Sequence, residues 1–151
     1  RRESDLPLAP DLADLLRQQA EALAGRHDLQ AVTAVPSRDW RQRDEALAIA
    51  AEALGVPALP DLLVWANEPP ARQGELRNND QRRENVDSKM APGGSARPGG
   101  GLLLLDDFIG SGATLREAGR ALRKQARLTG AIVPLTLARV RWKLGAPGRV
   151  R

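Results

Sequence analysis

The 151-residue chain contains no cysteine and no tyrosine, and His27 is its single histidine. Without cysteine, a disulfide framework, a thiolate zinc site and catalysis by a cysteine nucleophile are all excluded. A zinc site or a Ser-His pair would depend on His27 alone, and its polar surroundings favour a surface or capping role. Because aromatic residues make up only 3% of the chain, we expect a core of Leu, Val, Ile and Ala, which suits helices packed on a parallel sheet.

The chain also lacks long hydrophobic runs. No apolar run approaches the ~20 residues of a membrane span, and the N-terminus shows no hydrophobic signal segment, so we expect a soluble, cytoplasmic protein without a membrane partner. The net charge of +4 fits an anionic partner, either a phosphorylated small molecule or nucleic acid. We interpret residues 1–151 as a single domain. The start at Arg1 rather than methionine leaves open that this domain is the C-terminal part of a longer protein.

Helical and strand-like patterns alternate along the chain, which predicts an α/β fold with a mainly parallel central sheet flanked by helices in three layers. The predicted helices are Asp11–Ala24, Asp44–Leu54 and Thr114–Leu128. The predicted strands are Ala31–Pro36, Leu62–Ala66, Leu102–Leu105 and Ala131–Val140. Between them, residues 67–85 predict a long mobile loop, with a short helix near 82–88, and residues 91–101 predict a glycine and proline hinge without regular structure.

One stretch, residues 102–119, has the pattern of a phosphate cradle. Its apolar strand leads into a loop with Gly110 and Gly112, and a helix follows at Thr114. The glycines let the backbone approach a ligand closely, while the loop amides and the positive end of the helix dipole face an anion. The hydroxyl groups of Ser111 and Thr114 add hydrogen-bond donors.

Two adjacent carboxylates, Asp106 and Asp107, stand where this strand ends. Open α/β sheets hold ligands at the carboxyl ends of their strands, and carboxylates accept hydrogen bonds from sugar hydroxyls. A helix N-cap cluster is the alternative interpretation, since Asp, Ser and Thr all cap helices well. The P-loop and the dinucleotide fingerprint do not fit, because there is no Gly-Lys-Ser/Thr ending and Leu115 stands where a third glycine is needed.

The run Asp-Asp-Phe-Ile-Gly-Ser-Gly-Ala-Thr at residues 106–114 resembles the phosphoribosyl pyrophosphate (PRPP) motif of type I phosphoribosyltransferases. The resemblance implies that Asp106 and Asp107 contact the ribose hydroxyls and that residues 110–114 hold the 5-phosphate. Ser111 replaces the usual threonine, and Ala113 replaces the common second glycine. The residues that the resemblance assigns to PRPP binding are Ser37, Arg38, Asp106, Asp107, Phe108, Ile109, Gly110, Ser111, Gly112, Ala113 and Thr114.

Three further segments are similar to the same family. Ala-Val-Pro-Ser-Arg-Asp-Trp at 34–40 resembles its pyrophosphate loop, which implies that Ser37 and Arg38 meet the pyrophosphate and its Mg²⁺. Residues 71–86 resemble the loop of ComF-type competence proteins, and residues 130–140 their final strand. The segments are most like the phosphoribosyltransferase-like domains fused to RecQ-type DNA helicases. ComF proteins usually begin with a cysteine-rich zinc module, which this chain lacks.

The resemblance leaves two functions open. As an enzyme, the domain would be a phosphoribosyltransferase that displaces pyrophosphate at the anomeric carbon, with Arg38, Asp106 and Asp107 as its catalytic residues, no direct protein ligand to Mg²⁺, and no evident acceptor site. As a non-catalytic module, it would bind PRPP, a nucleotide or nucleic acid for a DNA-repair machine. A predicted basic helix face would then contact DNA, and it consists of Arg116, Arg120, Arg123, Lys124 and Arg127.

Overall fold

The computed structural model describes residues 7–37, 40–66, 89–109 and 112–139, with the backbone alone described at 108–109 and 138–139. Along the chain, the elements are α1 (Pro10–Ala24), β1 (Leu29–Ala34), α2 (Arg43–Leu54), β2 (Leu63–Trp65), β3 (Met90–Pro92), β4 (Gly101–Ile109), α3 (Ala113–Arg120), a π-helical turn (Ala121–Gln125) and β5 (Ile132–Arg139). The predicted loop at 67–85 and the short helix near 82–88 lie outside the described residues.

The main sheet has the order β1-β4-β5, and both pairings are parallel. β4 is central because its four leucines, Leu102–Leu105, can be covered on both faces, and each is at most 2% exposed. Side chains alternate along a strand, so Leu103 and Leu105 join one hydrophobic cluster while Leu102 and Leu104 join the other. The predicted central parallel strand is therefore confirmed.

Helices cover the two faces of this sheet. α1 and α2 bury Leu16 and Leu47 against the cluster of Leu103 and Leu105. α3 and the π-helical turn bury Ala118 and other small residues against Leu102 and Leu104. This three-layer arrangement confirms the predicted fold class. None of the described helices is long and apolar enough to cross a membrane.

The helix boundaries follow from local chemistry. Pro10 opens α1 at a position where the missing amide hydrogen costs no hydrogen bond. α2 ends as predicted at Gly55, whose backbone is left-handed with φ of 66°. β5 carries Pro134 at the edge of the described sheet, where proline disturbs the ladder least.

The second strand departs from the expectation of one parallel sheet. The predicted strand Leu62–Ala66 is present as β2, but it pairs antiparallel with β3 in a separate two-stranded sheet. β3 in turn corrects the predicted hinge at 91–101, because Ala91 and Pro92 belong to a strand. At the other end of the hinge, Gly101 begins β4, and a Cβ there would lie 2.4 Å from the Asp28 carbonyl oxygen, so the glycine permits close strand packing.

The helix after the predicted phosphate turn is shorter than expected. It was predicted over Thr114–Leu128, but the α-helix ends at Arg120 and the π-helical turn at Gln125. Arg127 adopts a left-handed conformation with φ of 59°, which no helix can continue. The Arg123 guanidinium closes this end by donating to the carbonyls of Leu128 and Gly130 at 2.9 and 2.7 Å.

Candidate functional site

The pairing of β1 with β4 brings the two predicted ligand segments together. Ala34 lies opposite Leu105 in the parallel register, and the Val35 amide donates to the Leu105 carbonyl at 3.0 Å. The chain continues from Val35 into Pro36 and Ser37, while β4 continues into the two acidic residues. Both segments therefore lie at the carboxyl edge of the sheet, where α/β folds hold ligands.

The two carboxylates at this edge differ in exposure. Asp106 is only 5% exposed, whereas Asp107 is partly exposed. The Asp107 amide donates to Asp106 Oδ1 at 2.8 Å. Burial, followed by a side-chain hydrogen bond and repulsion from Asp107, raises the pKa of Asp106 to about 8. Asp106 is thus mainly protonated at neutral pH, and Asp107 is the more accessible of the two groups.

In the described part of the turn before α3, residues 112–114, the chain begins with a left-handed glycine. Gly112 stands at the helix N-cap with φ of 84°, a left-handed conformation that favours glycine. Its carbonyl accepts the Arg116 amide at 3.0 Å and so starts the helix. Ala113 is buried and Thr114 partly exposed, so the described part of the turn presents Thr114 to its surface.

The remaining predicted ligand residues are described only in part or not at all. Phe108 and Ile109 lie in the last two positions of β4, where their backbone alone is described. Arg38, Gly110 and Ser111 lie outside the described residues. The structure therefore brings Ser37, Asp106, Asp107 and the turn at 112–114 to one edge of the sheet.

A partly buried arginine supports the segment that carries Ser37. Arg43, the first residue of α2, donates to the carbonyls of Ala34, Val35 and Pro60, each at 2.8 Å. Burial lowers its pKa, while the nearby carboxylates of Asp44 and Asp61 oppose that shift. The guanidinium thus joins the end of β1 to the segment before β2. The sequence did not indicate this role of Arg43, because nothing in the pattern around an arginine at a helix start identifies carbonyl partners elsewhere in the chain.

Comparison with known proteins supports the fold. No family model matches the chain, and no curated protein matches it. Among solved structures, an adenine phosphoribosyltransferase superposes with a TM-score of 0.57 and 18% identity over 85% of this chain and 68% of that one. Adenine phosphoribosyltransferase from Saccharomyces cerevisiae, complexed with an imino-altritol bisphosphate and adenine, gives 0.57 and 17% over 85% and 66%. The fold is that of the type I phosphoribosyltransferases. This chain spans about two thirds of the length of these neighbours.

Within this phosphoribosyltransferase fold, a groove of about 310 Å³ opens beside Ser37. The predicted pyrophosphate segment and β2 form two of its walls. Its lining residues are Pro36, Ser37, Arg43, Pro60, Asp61, Leu63, Val64 and Trp65. Of the tryptophans, Trp65 lines the groove, whereas Trp40 is 6% exposed and packs in the core with residues of α1 and α2. Trp142 lies outside the described residues.

The predicted basic face of α3 is partly used by the protein itself. Arg120 pairs with Glu117 and donates to the Met90 carbonyl, and Arg123 holds the two carbonyls at the end of the helix. These two arginines interrupt the predicted row of cations. The sequence pattern assigns Arg120 to the face predicted to contact DNA, and the signal that could have indicated its pairing is Glu117, a buried acid three residues before it on the helix.

Proposed function

We propose that this domain binds PRPP, or a closely related ribose 5-phosphate ligand, across the carboxyl edge of its parallel sheet. The observation that supports the proposal is the β1–β4 register, which pairs Ala34 with Leu105, so that the segments leading to Ser37 and to Asp106 both run toward the carboxyl edge of the sheet. A ligand with a phosphate at one end and a pyrophosphate at the other requires two anion-binding segments on either side of a hydroxyl-binding group. We assign residues at this edge of the sheet to all three.

Each part of the site has a distinct role in this proposal. Residues 110–114 would receive the 5-phosphate, because backbone amides at a helix start attract anions. Asp107 would accept a ribose hydroxyl, and Asp106 would act beside it, donating while protonated or accepting once a cation lowers its pKa. Ser37 and Arg38 would meet the pyrophosphate. Phe108 and Ile109 would shape the sugar side of the turn through their place in β4.

We propose Mg²⁺ as the companion of the ligand. Among the residues that the structure describes, no group of three or more Asp, Glu, His or Cys side chains is arranged to hold a metal ion. Mg²⁺ keeps several waters and commonly takes phosphate oxygens together with one or two carboxylates. In this proposal the ion is held through the pyrophosphate and the ribose, near Asp106 and Asp107 but without a direct protein ligand, and it would supply charge neutralisation to the pyrophosphate.

We propose phosphoribosyl transfer as the reaction, with non-catalytic binding as the alternative. In the transfer, a bond forms between an acceptor and the anomeric carbon while the bond to pyrophosphate breaks. This chain's residues would act mainly by positioning the ligand and by stabilising the departing anion. Release of pyrophosphate on incubation with Mg²⁺, PRPP and a panel of bases would support the enzyme, and tight binding without release would support the binding module.

Calorimetric titration with PRPP and Mg²⁺ tests the site itself. We expect the double variant Asp106→Asn, Asp107→Asn to bind at least about tenfold more weakly than the wild type, since the loss of the charged hydrogen bond from Asp107 alone is worth roughly 1.5–3 kcal/mol. Asp14→Asn, which changes a carboxylate that is 67% exposed on α1, is the matched control. Unchanged affinity in the double variant would refute the assignment.

We further propose, from the resemblance to helicase-fused and ComF-type domains, that the domain serves DNA processing in the cytoplasm. Direct DNA contact would draw on the exposed Lys124 and Arg127, whereas Arg120 and Arg123 bind the protein itself. The affinity for DNA should then fall as salt rises, because each phosphate contact releases counterions. A salt slope near zero would restrict any DNA role to a partner or a fused helicase.

A further inference from the structure

An ion pair on α3, between the buried Glu117 and the partly exposed Arg120, binds the backbone of β3. Glu117 is 3% exposed, and its carboxylate accepts the Met90 amide at 2.9 Å. Arg120 donates to both oxygens of this carboxylate, at 2.6 and 2.8 Å, and to the Met90 carbonyl at 3.0 Å. Met90 itself is fully buried. The pair thus satisfies both polar groups of one buried peptide residue.

The geometry of the β2–β3 pair explains why Met90 needs these partners. Trp65 lies opposite Met90, and the next Ala66 amide donates to the Lys89 carbonyl at 2.6 Å. Along an antiparallel strand, the backbone amide and carbonyl of successive residues point alternately toward the neighbouring strand and away from it. Because Lys89 bonds to Ala66 at the end of β2, the amide and carbonyl of Met90 point away from β2. Glu117 and Arg120 occupy that outer edge and take the place of a third strand.

This pair connects the two ends of the proposed ligand site. Glu117 stands one helical turn after Ala113, about 6 Å along the helix axis, so its attachment fixes the helix that begins at the phosphate turn. On the other side, β3 pairs with β2, and Leu63–Trp65 of β2 form a wall of the groove beside Ser37. A chain of contacts therefore runs from the start of α3 through Met90 and β2 to the groove that Ser37 also lines.

We propose that Glu117 and Arg120 are positioning residues that set the spacing between the 5-phosphate turn and the pyrophosphate end of the site. This inference rests on the proposed function. PRPP must reach both ends at once, whereas ribose 5-phosphate needs only the turn and the carboxylates. A change of spacing therefore weakens PRPP binding more than it weakens ribose 5-phosphate binding, and a loss of stability alone would affect both ligands alike.

Three variants of the whole domain test the spacing. Arg120→Lys keeps the charge beside Glu117 but loses the planar fork that joins two carboxylate oxygens and a carbonyl. Glu117→Gln keeps the side-chain shape but removes its charge. Arg123→Lys is the control. Arg123 lies in the π-helical turn that continues α3, and it also donates to two backbone carbonyls, which lie between this turn and β5. Thermal unfolding identifies which variants are folded at the temperature of the titrations.

The readout is the ratio of the PRPP and ribose 5-phosphate affinities, each measured by calorimetry with Mg²⁺. We expect Arg120→Lys and Glu117→Gln to lower this ratio about tenfold, since displacements near 1 Å have effects of that size or larger, and Arg123→Lys to leave it unchanged. An unchanged ratio in the folded variants, or an equal fall in Arg123→Lys, overturns the positioning role while the proposed function stands. If the wild type binds neither ligand, the proposed function itself fails.

Discussion

The Asp107 amide donates a hydrogen bond to Asp106 Oδ1 at 2.8 Å. This bond stabilises the ionised form of Asp106, whereas the rest of its surroundings opposes ionisation. Burial is the largest influence on Asp106 and raises its pKa to about 8, and the adjacent Asp107 carboxylate acts in the same direction. The hydrogen bond from the Asp107 amide lowers the pKa of Asp106, but this effect is smaller than the combined effect of burial and the Asp107 carboxylate. In the ligand-free site, Asp106 therefore carries a proton, which a bound cation or a rise in pH would remove.

This proton on Asp106 makes stability depend on pH. Below about pH 4, Asp106 is protonated in both folded and unfolded states. Between about pH 4 and pH 8, the unfolded chain loses this proton while the folded state keeps it, so stability falls as pH rises. Relative to Asp106→Asn, the free energy of unfolding of the wild type should fall by about 1.4 kcal/mol per pH unit from pH 5 to pH 7. Urea unfolding of both proteins across this range measures it, and parallel pH profiles would contradict the raised pKa.

The central strand offers a test of the core. Leu105 is fully buried between β1 and β5, under α1 and α2. Leu105→Ala should lower the free energy of unfolding by about 2–5 kcal/mol, because it removes apolar contacts and leaves a cavity. Leu15→Ala is the control, since Leu15 is 47% exposed on α1 and should change stability by roughly 0.5 kcal/mol or less. Similar losses in the two variants would argue against the central place of β4.

Apolar patterning predicted most of the fold. The run Leu102–Leu105 indicated a strand covered on both faces, and the spacing of leucines and alanines indicated α1 and α2, because burial of a continuous face dominates the energy of these elements. The acids predicted to follow this run, Asp106 and Asp107, lie inside β4, which continues to Ile109 toward the carboxyl edge of the sheet. The alternation of strands and helices also predicted that β1 and β4 are parallel. Parallel strands have their carboxyl ends at the same edge of the sheet, so the segment with Ser37 leaves the sheet at the edge toward which the acids point.

What patterning did not predict depends on contacts between residues far apart in the chain. β3 is three residues long, and its formation relies on β2 and on the side chains of Glu117 and Arg120, which follow Met90 by about 30 residues. Arg43 and Arg123 have backbone carbonyls as partners, which no spacing rule marks. In the sequence, each of these arginines has the pattern of a solvated charge, and only the folded backbone distinguishes them.

Alanine substitutions at two glycines, one at the N-cap of α3 and one inside the helix, should change stability in opposite directions. Gly112 has φ of 84°, and an added Cβ would lie 3.0 Å from Arg116 Nη1, so Gly112→Ala should cost about 1–2 kcal/mol of stability and weaken PRPP binding. Gly119 lies inside the helix with no atom near an added Cβ, so Gly119→Ala should stabilise the protein by about 0.5–1 kcal/mol. Chemical unfolding of both variants, together with PRPP titration, checks the signs. Stabilisation by Gly112→Ala would show that this turn is not left-handed.

Arg43 gives the last test, because it holds the Ser37 segment without lining the sheet edge where the carboxylates lie. Arg43→Met keeps much of the apolar stem but removes the three donations to Ala34, Val35 and Pro60, so we expect a loss of about 2–4 kcal/mol in stability. In variants that remain folded, PRPP should bind more weakly while ribose 5-phosphate binding changes little, since the pyrophosphate segment alone is released. Arg17→Met is the control, because Arg17 forms an exposed ion pair with Asp14 worth at most about 1 kcal/mol. Equal weakening of both ligands by Arg43→Met would mean that this arginine supports the whole sheet edge rather than the segment after β1.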